Sequence, residues 1–574
     1  VPPCDIQQTG ARCWWLITVI VIAAFLIRVV YDIETQCVPL LRHFVGDAAG
    51  YWHWAQEIAA GKLLGHESFY QAPLYPYVLA ACFTLAWESV TVVRMLQAAC
   101  GAAAVWCLWY GTTRVFGRRV GMTACIMLAV YAPAIFFDGI VQKTSLGCLL
   151  VCGLLAAMAW VAREGRACAA MAVGVVSGLL VLTRENAIVW TPIVAIWLWL
   201  LGEVGGKHRR WMRLGAYIVG LAFVLGPVAV RNRVVGGEWS MSTFQAGPNF
   251  YIGNHQGADG RYQPLTRGHE TPAFEQKDAT ALAEREMGRK LTAQEVSHYW
   301  MSRAMRDILT DPTWWLELMG RKMLMVWNRY EVSDVESLHV YRDESVTLRA
   351  LGTVWHFGIL CPLAAVGICC TWRNWRRLWV YYALIASMAL AVAFFYVMAR
   401  YRFPLAPLLI PFAAVGCVDI WGHLRSLTFR PLLSRALVAL IVAAIVNWPI
   451  HDEKRLNAMA WMNVGVALAQ EGDLDEATGY FKRAVEGHPE SAEANNNLAQ
   501  ALALQGDFAG AIPHYKAALA AEPTLMGVSY NLGVALERVG RADEALRHYE
   551  RAVELDPSDV EARRAVERLR GLGD

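Results

Sequence analysis

The chain has 574 residues, 56% of them hydrophobic, with 24 Trp; it is too apolar for a soluble protein of this size, and the excess lies in runs of about 20 residues that can each cross a bilayer. Its formal net charge is only +3, and the basic residues gather in short loops beside those runs, which excludes a nucleic-acid surface and follows the bias of cytoplasmic loops toward Lys and Arg. The 14 cysteines fall mostly inside apolar segments, with no CxxC and no Cys/His cluster at zinc spacing, so small packing residues are expected rather than disulfides or metal ligands.

The first residue is Val1 rather than Met, and the natural N-terminus is expected upstream of it. A first span is predicted at 13–31; no small-x-small cleavage pattern follows it, so it reads as a retained anchor. The loop after it, 32–89, carries GDAAGYWHWAQEIAAGKLLGHESFYQAPLYPYVLA over 46–80. Asp47 follows the span closely, which places a carboxylate at the lip of the membrane. Residues 74–87 are apolar but too short to cross and are expected to form a juxtamembrane helix.

Further spans are predicted at 90–112, 120–137, 140–162, 167–183, 187–202 and 214–230. A large insertion follows at 231–347, with apolar residues at helical spacing over 278–309 and 312–328. Spans at 350–371, 378–398, 404–421 and 432–450 complete a set of about 11. Every Arg-rich short loop except the turn at Arg400 and Arg402 then falls on the cytoplasmic side, so Asp47, the insertion and the C-terminus are expected together outside.

Beyond residue 450 the composition changes. Pro489, Pro523 and Pro557 recur every 34 residues, as do Ala477, Ala511 and Ala545, the aromatics Phe481, Tyr515 and Tyr549, and the turn glycines Gly472, Gly506 and Gly540. This is the tetratricopeptide pattern, helix pairs that bury a common core only when stacked. Three repeats are placed at 458–491, 492–525 and 526–559, with a capping helix after them. The fold class is all-α: a polytopic membrane domain over 1–450 and a helical solenoid over 451–574.

The order of Asp47, Tyr51, Ala55, Gly61 and APLYP (72–76), then RNRVVGGEW (231–239), GPNFYIGNHQGADGRYQP (247–264) and ARYRFPLAPLL (399–409), resembles the GT-C glycosyltransferases, in the branch of the protein O-mannosyltransferases and aminoarabinose transferases. The resemblance covers roughly residues 10–425. It implies a polyprenyl-phosphate sugar donor, with Asp47 as catalytic base and inversion at the anomeric carbon. No GxGxxG follows a strand and no P-loop is present, so a nucleotide-sugar domain is not expected.

Negative charge growing on the leaving phosphate calls for cations, and Arg400, Arg402, Arg231 and Lys143 are the candidates. Relatives often carry an acidic residue beside the lysine, where this chain has Thr144; Asp138 and Glu185 are alternative second carboxylates. Tyr51, His53, Asn249, Tyr251, Asn254 and His255 are candidate contacts to acceptor or donor. His53 and His66 flank the Asp47 loop and a divalent cation there is an open alternative, but neither sits at a diagnostic spacing, so no cofactor is assigned.

In the repeats, Asn463, Asn497 and Asn531 share one position and are expected to form a ladder of amides able to read a polypeptide backbone. The expected partners are therefore the lipid-linked donor, membrane lipid and a polypeptide acceptor. The leading function is a glycosyltransferase at the extracytoplasmic face, in a bacterial inner membrane with the active side in the periplasm. A lipid-linked oligosaccharide ligase or polymerase is one alternative, and a non-enzymatic scaffold presenting the repeats is another. Against the scaffold, an anchor needs one span rather than about 11.

Overall fold

A computed structural model describes residues 11–42, 44, 46–201, 206–241, 243–266 and 272–571. Apart from short 3-10 turns, every regular element among them is an α-helix. The chain divides into two compact units, the first made of Val1–Gln36, Phe44–Val332 and Tyr341–Ile450, the second of Cys37–His43, Ser333–Val340 and His451–Asp574.

In chain order the helices are α1 (Ala11–Glu34), α2 (Asp47–Ala59), α3 (Leu74–Leu85), α4 (Val90–Phe116), α5 (Arg118–Ala129), α6 (Ala132–Gly139), α7 (Thr144–Glu164), α8 (Ala167–Val181), α9 (Trp190–Leu200), α10 (Gly206–Gly236), α11 (Ala246–Asn254), α12 (Pro272–Met287), α13 (Ala293–Thr310), α14 (Pro312–Trp327), α15 (Leu338–Glu344), α16 (Val346–Val354), α17 (Phe357–Thr371), α18 (Trp375–Phe394), α19 (Ala399–Arg402), α20 (Leu405–Arg425) and α21 (Phe429–Val446). The repeats follow as α22 (Glu453–Glu471), α23 (Leu474–Gly487), α24 (Ala492–Leu504), α25 (Phe508–Ala521), α26 (Val528–Arg538), α27 (Ala542–Leu555) and α28 (Val560–Gly571).

Among the described residues, seven helical stretches can cross a membrane by length and composition, or eight if α5 and α6, bent by 50° at their junction, form one span. One of the seven, Val346–Phe394, holds α16, α17 and α18. The expected spans at 167–183 and 187–202 correspond to α8, of 15 residues, and α9, of 11. At about 1.5 Å per residue neither reaches the roughly 30 Å of hydrocarbon.

Small residues let the long helices approach closely, as expected where lipid removes the hydrophobic drive between them. A Cβ on Gly174 or Gly220 would collide with backbone across the α8–α10 contact, and one on Gly367 or Gly416 would do so across α17–α20. Deep between α1, α4 and α6 lie two buried ion pairs: Arg28 Nε to Asp138 Oδ2 at 2.5 Å and Arg94 Nη2 to Asp32 Oδ1 at 2.8 Å. In the insertion, the single helix expected over 278–309 is two. Gly288, with φ +66°, ends α12. A capping box between Thr292 and Glu295 starts α13.

In the second unit the repeat signals take their expected physical roles. Ala477, Ala511 and Ala545 are fully buried, as are the rings of Phe481, Tyr515 and Tyr549. Gly472, Gly506 and Gly540 adopt φ of 87°, 87° and 81°, a left-handed turn that glycine makes at little cost. The sequence reading assigned 37–43 and 333–340 to the membrane domain, whereas both pack with the repeats. The 3-10 turn Pro39–Leu41 lies against α22, and Asn463 donates to the Val335 carbonyl at 3.4 Å.

Candidate active site

Gly46, at φ 63°, turns the chain into α2, so Asp47 stands in the first turn of that helix, where the helix dipole favours a carboxylate. Tyr51, Ala55 and Ile58 on the buried face of α2 pack with Tyr75 and Leu79 of α3, which fixes the helix and with it the Asp47 side chain. The Ala399 N–H donates to Val332 O and the Val397 N–H to Gly260 O, both at 2.8 Å, and these bonds seat α19. From α19 the Arg400 guanidinium forms a buried ion pair with the Asp47 carboxylate. Gln71 Nε2 donates to the other Asp47 oxygen at 3.2 Å.

Around this pair lie further charges. Lys143 stands 3.8 Å from the Glu185 carboxylate and 5.8 Å from the centre of the Tyr51 ring. Glu185 also accepts from Gln245 Nε2 at 2.6 Å. Arg184, buried, donates to Thr144 Oγ1 at 2.7 Å, while its Nε and Nη1 have no hydrogen-bond partner among the described residues. Three cations, Lys143, Arg184 and Arg400, thus lie beside Asp47 and Glu185, and the two Arg184 nitrogens without a partner suit an anion.

Burial alone would raise the Asp47 pKa, but the Arg400 guanidinium, Lys143 and the Gln71 amide more than offset it and hold the carboxyl below its usual range. Glu275 of α12 behaves in the opposite way. Burial lifts it to about 7, with the Asp47 charge adding to the rise and Tyr70, Tyr262 and Arg400 opposing it. Tyr70 donates to one Glu275 oxygen at 2.9 Å and Tyr262 to the other at 3.3 Å. The Tyr262 ring lies 5.4 Å from that of Tyr396, which lies 5.6 Å from that of Tyr401, and Arg400 Nη2 donates to the Tyr401 hydroxyl at 3.3 Å. Asn249 joins this set by accepting from Tyr396 at 3.2 Å.

The other sequence candidates sit elsewhere. Arg402 is buried against Glu331 at 2.9 Å and donates to the Asn328 and Val326 carbonyls, so all its contacts are internal. Arg231 grips the Leu64 carbonyl and stacks on Phe69 with 3.7 Å to the ring centre, which fastens the first loop. Asp138 belongs to the Arg28 pair, which leaves Glu185 as the alternative that reaches Lys143. Asn254 is a buried knot that donates to Phe250 O and Phe394 O and accepts from Trp315 and Lys322. Tyr251 packs on Trp300 of α13, with His255 against its ring. His53 is exposed, and no group of three or more metal-ligating side chains occurs among the described residues.

Sequence reading missed Arg184, Gln71, Gln245 and Glu275 as site residues. Arg184 lies between two apolar runs, where an arginine carries no local mark of a binding role. Glu275 lies in a stretch read for helical periodicity, where a carboxylate is ordinarily a solvated group.

Residues 70–230 match the family described as dolichyl-phosphate-mannose-protein mannosyltransferase. The match is to a domain family of GT-C type. Residues 456–522 and 502–569 match tetratricopeptide repeats. The mannosyltransferase-like match takes in Gln71, Lys143, Arg184 and Glu185, while Asp47, Glu275 and Arg400 lie beyond it. The domain supports glycosyltransferase activity in a membrane protein, and the repeats support protein binding.

No curated protein sequence matches the chain. Solved structures similar to it include the first tetratricopeptide domain of Spaghetti (RPAP3) bound to an HSP90 peptide, at 23% identity over 21% of this chain and 99% of that one, with a TM-score of 0.20. MamA is similar at 24% identity over 20% and 69%, with a TM-score of 0.20. YrrB, described as having an unusual peptide-binding site, is similar at 15% identity over 41% and 100%, with a TM-score of 0.19.

Proposed function

We propose that the chain is an inverting glycosyltransferase that moves a sugar from a polyprenyl phosphate to an acceptor hydroxyl at the extracytoplasmic face of a bacterial inner membrane. The observation that carries this reading is the Asp47–Arg400 pair, formed by residues 353 positions apart beside Lys143 and Arg184. In the resting chain Arg400 neutralises Asp47. A donor phosphate arriving at Arg400, Arg184 and Lys143 competes for the guanidinium and frees the carboxylate to act as a base.

The acceptor oxygen then attacks the anomeric carbon from the face opposite the phosphate, and its proton passes to Asp47. As the new C–O bond forms, the bond from the anomeric carbon to the phosphate oxygen breaks, and polyprenyl phosphate departs with the electron pair. The developing charge on the leaving group is met by the cations already in place, which is where fixed charges contribute most to rate. Asp47→Asn is expected to lower transfer by roughly 10² to 10⁴, the usual cost of losing a general base, with the chain still folded and binding lipid phosphate. Transfer at the wild-type rate in that variant would remove Asp47 from the mechanism.

The acceptor proposed is a polypeptide held by the repeats. Asn463 already donates to a backbone carbonyl within its own unit, the contact the ladder requires, and Asn497 and Asn531 occupy the same position on α24 and α26. Replacing Asn497 and Asn531 together by Ala is expected to reduce transfer to a polypeptide and spare a small soluble acceptor. Equal transfer to both acceptors would leave the repeats without this role.

A further inference from the structure

Glu275 has no part in the mechanism above, yet it is electrostatically coupled to both Asp47 and Arg400. As a residue Glu275 is half-buried, in the first turn of α12 and between two tyrosines. A carboxylate offers about four acceptor positions on its two oxygens. Tyr70 takes one on Oε1 and Tyr262 one on Oε2. About two remain, one on each oxygen, a pattern that suits a pair of neighbouring hydroxyls on one ligand.

The surroundings favour the same ligand. Tyr70, Tyr262 and Tyr401, all half-buried, carry flat apolar faces edged with hydroxyls, and behind them the buried Tyr396 is bonded to the Asn249 amide. Aromatic faces with a polar rim match a pyranose, whose C–H face is apolar and whose edge is ringed with hydroxyls. If phosphate occupies Arg400 and the anomeric carbon lies near Asp47, the rest of the sugar must extend into the neighbouring space.

We propose that Glu275, with Tyr70 and Tyr262, forms the subsite that holds hydroxyls of the sugar being transferred. This rests on the glycosyltransferase reading and deepens it, by making Glu275 a specificity residue for the sugar rather than for the lipid or the acceptor. The ionised carboxylate is the form that accepts hydroxyl hydrogen bonds. With its pKa lifted to about 7, that form is lost as pH falls through neutrality. The groups that set this titration are Tyr70, Tyr262, Asp47 and Arg400.

The test uses the purified full-length chain and two probes, polyprenyl phosphate and polyprenyl-phosphate mannose. Glu275→Gln is expected to weaken the mannosyl lipid about tenfold and leave the bare lipid phosphate unchanged. In the wild type the preference for the mannosyl lipid falls as pH drops from about 8 to about 6, and in the variant it is flat. Tyr70→Phe, which keeps the carboxylate, weakens the mannosyl lipid by a smaller factor. Equal weakening of both probes in Glu275→Gln, weakening of neither, or a wild type that binds the two alike overturns the proposal. Arg400→Ala separates it from the underlying reading, because that variant must weaken both lipids. If it weakens neither, the phosphate assignment falls while the comparison of probes at Glu275 still stands.

Discussion

In the repeats, the Phe481 ring covers Gly465 and the Tyr549 ring covers Gly533, each contact closing within one 34-residue unit. In the membrane unit, Asp47 meets Arg400 across 353 residues and Arg28 meets Asp138 across 110. The first kind of contact is written into a local pattern and repeats with it. The second depends on several helices having packed correctly first, so its partners carry no mark of each other in the sequence. The comparison also separates stability from chemistry: the repeats bury small and aromatic residues at periodic positions and keep ion pairs such as Arg568–Glu537 at the surface, whereas the membrane unit buries charge pairs such as Arg28–Asp138 and Arg400–Asp47.

The largest effect is expected at Arg400. Arg400→Ala should lower sugar transfer by roughly 10² to 10⁴, equivalent to about 3 to 5 kcal/mol of barrier, measured with a lipid-linked donor in membranes. Folding should survive, because Lys143 and Gln71 still surround Asp47. A modest loss of rate would place the chemistry elsewhere. Arg402→Ala tests the neighbouring arginine for a different role. It strands Glu331 buried without its partner, and breaking such a pair typically costs about 3 to 5 kcal/mol of stability. Thermal unfolding in detergent should show this as a lowered midpoint, and an unchanged midpoint would contradict a stabilising role for the Arg402–Glu331 pair.

Smaller effects are expected in the repeats. A Cβ on Gly465 would lie 2.6 Å from the Phe481 ring. Gly465→Ala should therefore cost about 1 to 3 kcal/mol, read as faster hydrogen exchange in α22 and α23 with α26 and α27 unaffected. The middle repeat places Ala499 at the same position against Tyr515, both buried, so Ala499→Gly should bring no matching gain. The smallest change is Asp473→Ala, which removes the cap donated to by the Glu476 N–H. About 1 kcal/mol of local stability is expected to go with it, seen as faster exchange at the start of α23 alone.

Much of the fold was legible because helix periodicity, turn glycines and apolar runs act over a few residues. The repeat register is legible, since Gly472, Gly506 and Gly540 each make the turn that the period requires. Errors arose where local signals are silent about breaks. The periodic stretch at 278–309 hides the break that Gly288 and the Thr292 cap impose. At the candidate site, Asp47, Lys143, Glu185 and Arg400 are among the residues that the sequence offers. Nothing in their neighbourhoods distinguished Arg400 from Arg402, because both lie in the same short turn.

The sequence by itself determined the helical class, the membrane character and the repeat register, since each follows from composition or from a period no longer than one helix pair. Tertiary structure alone decided which arginine meets Asp47, that Arg184 stands at Thr144, and that Glu275 joins two tyrosines drawn from distant loops. The physical reason is range. Hydrophobic periodicity acts within one element and is visible in its residues, whereas a buried charge is satisfied only by partners that packing brings from elsewhere in the chain.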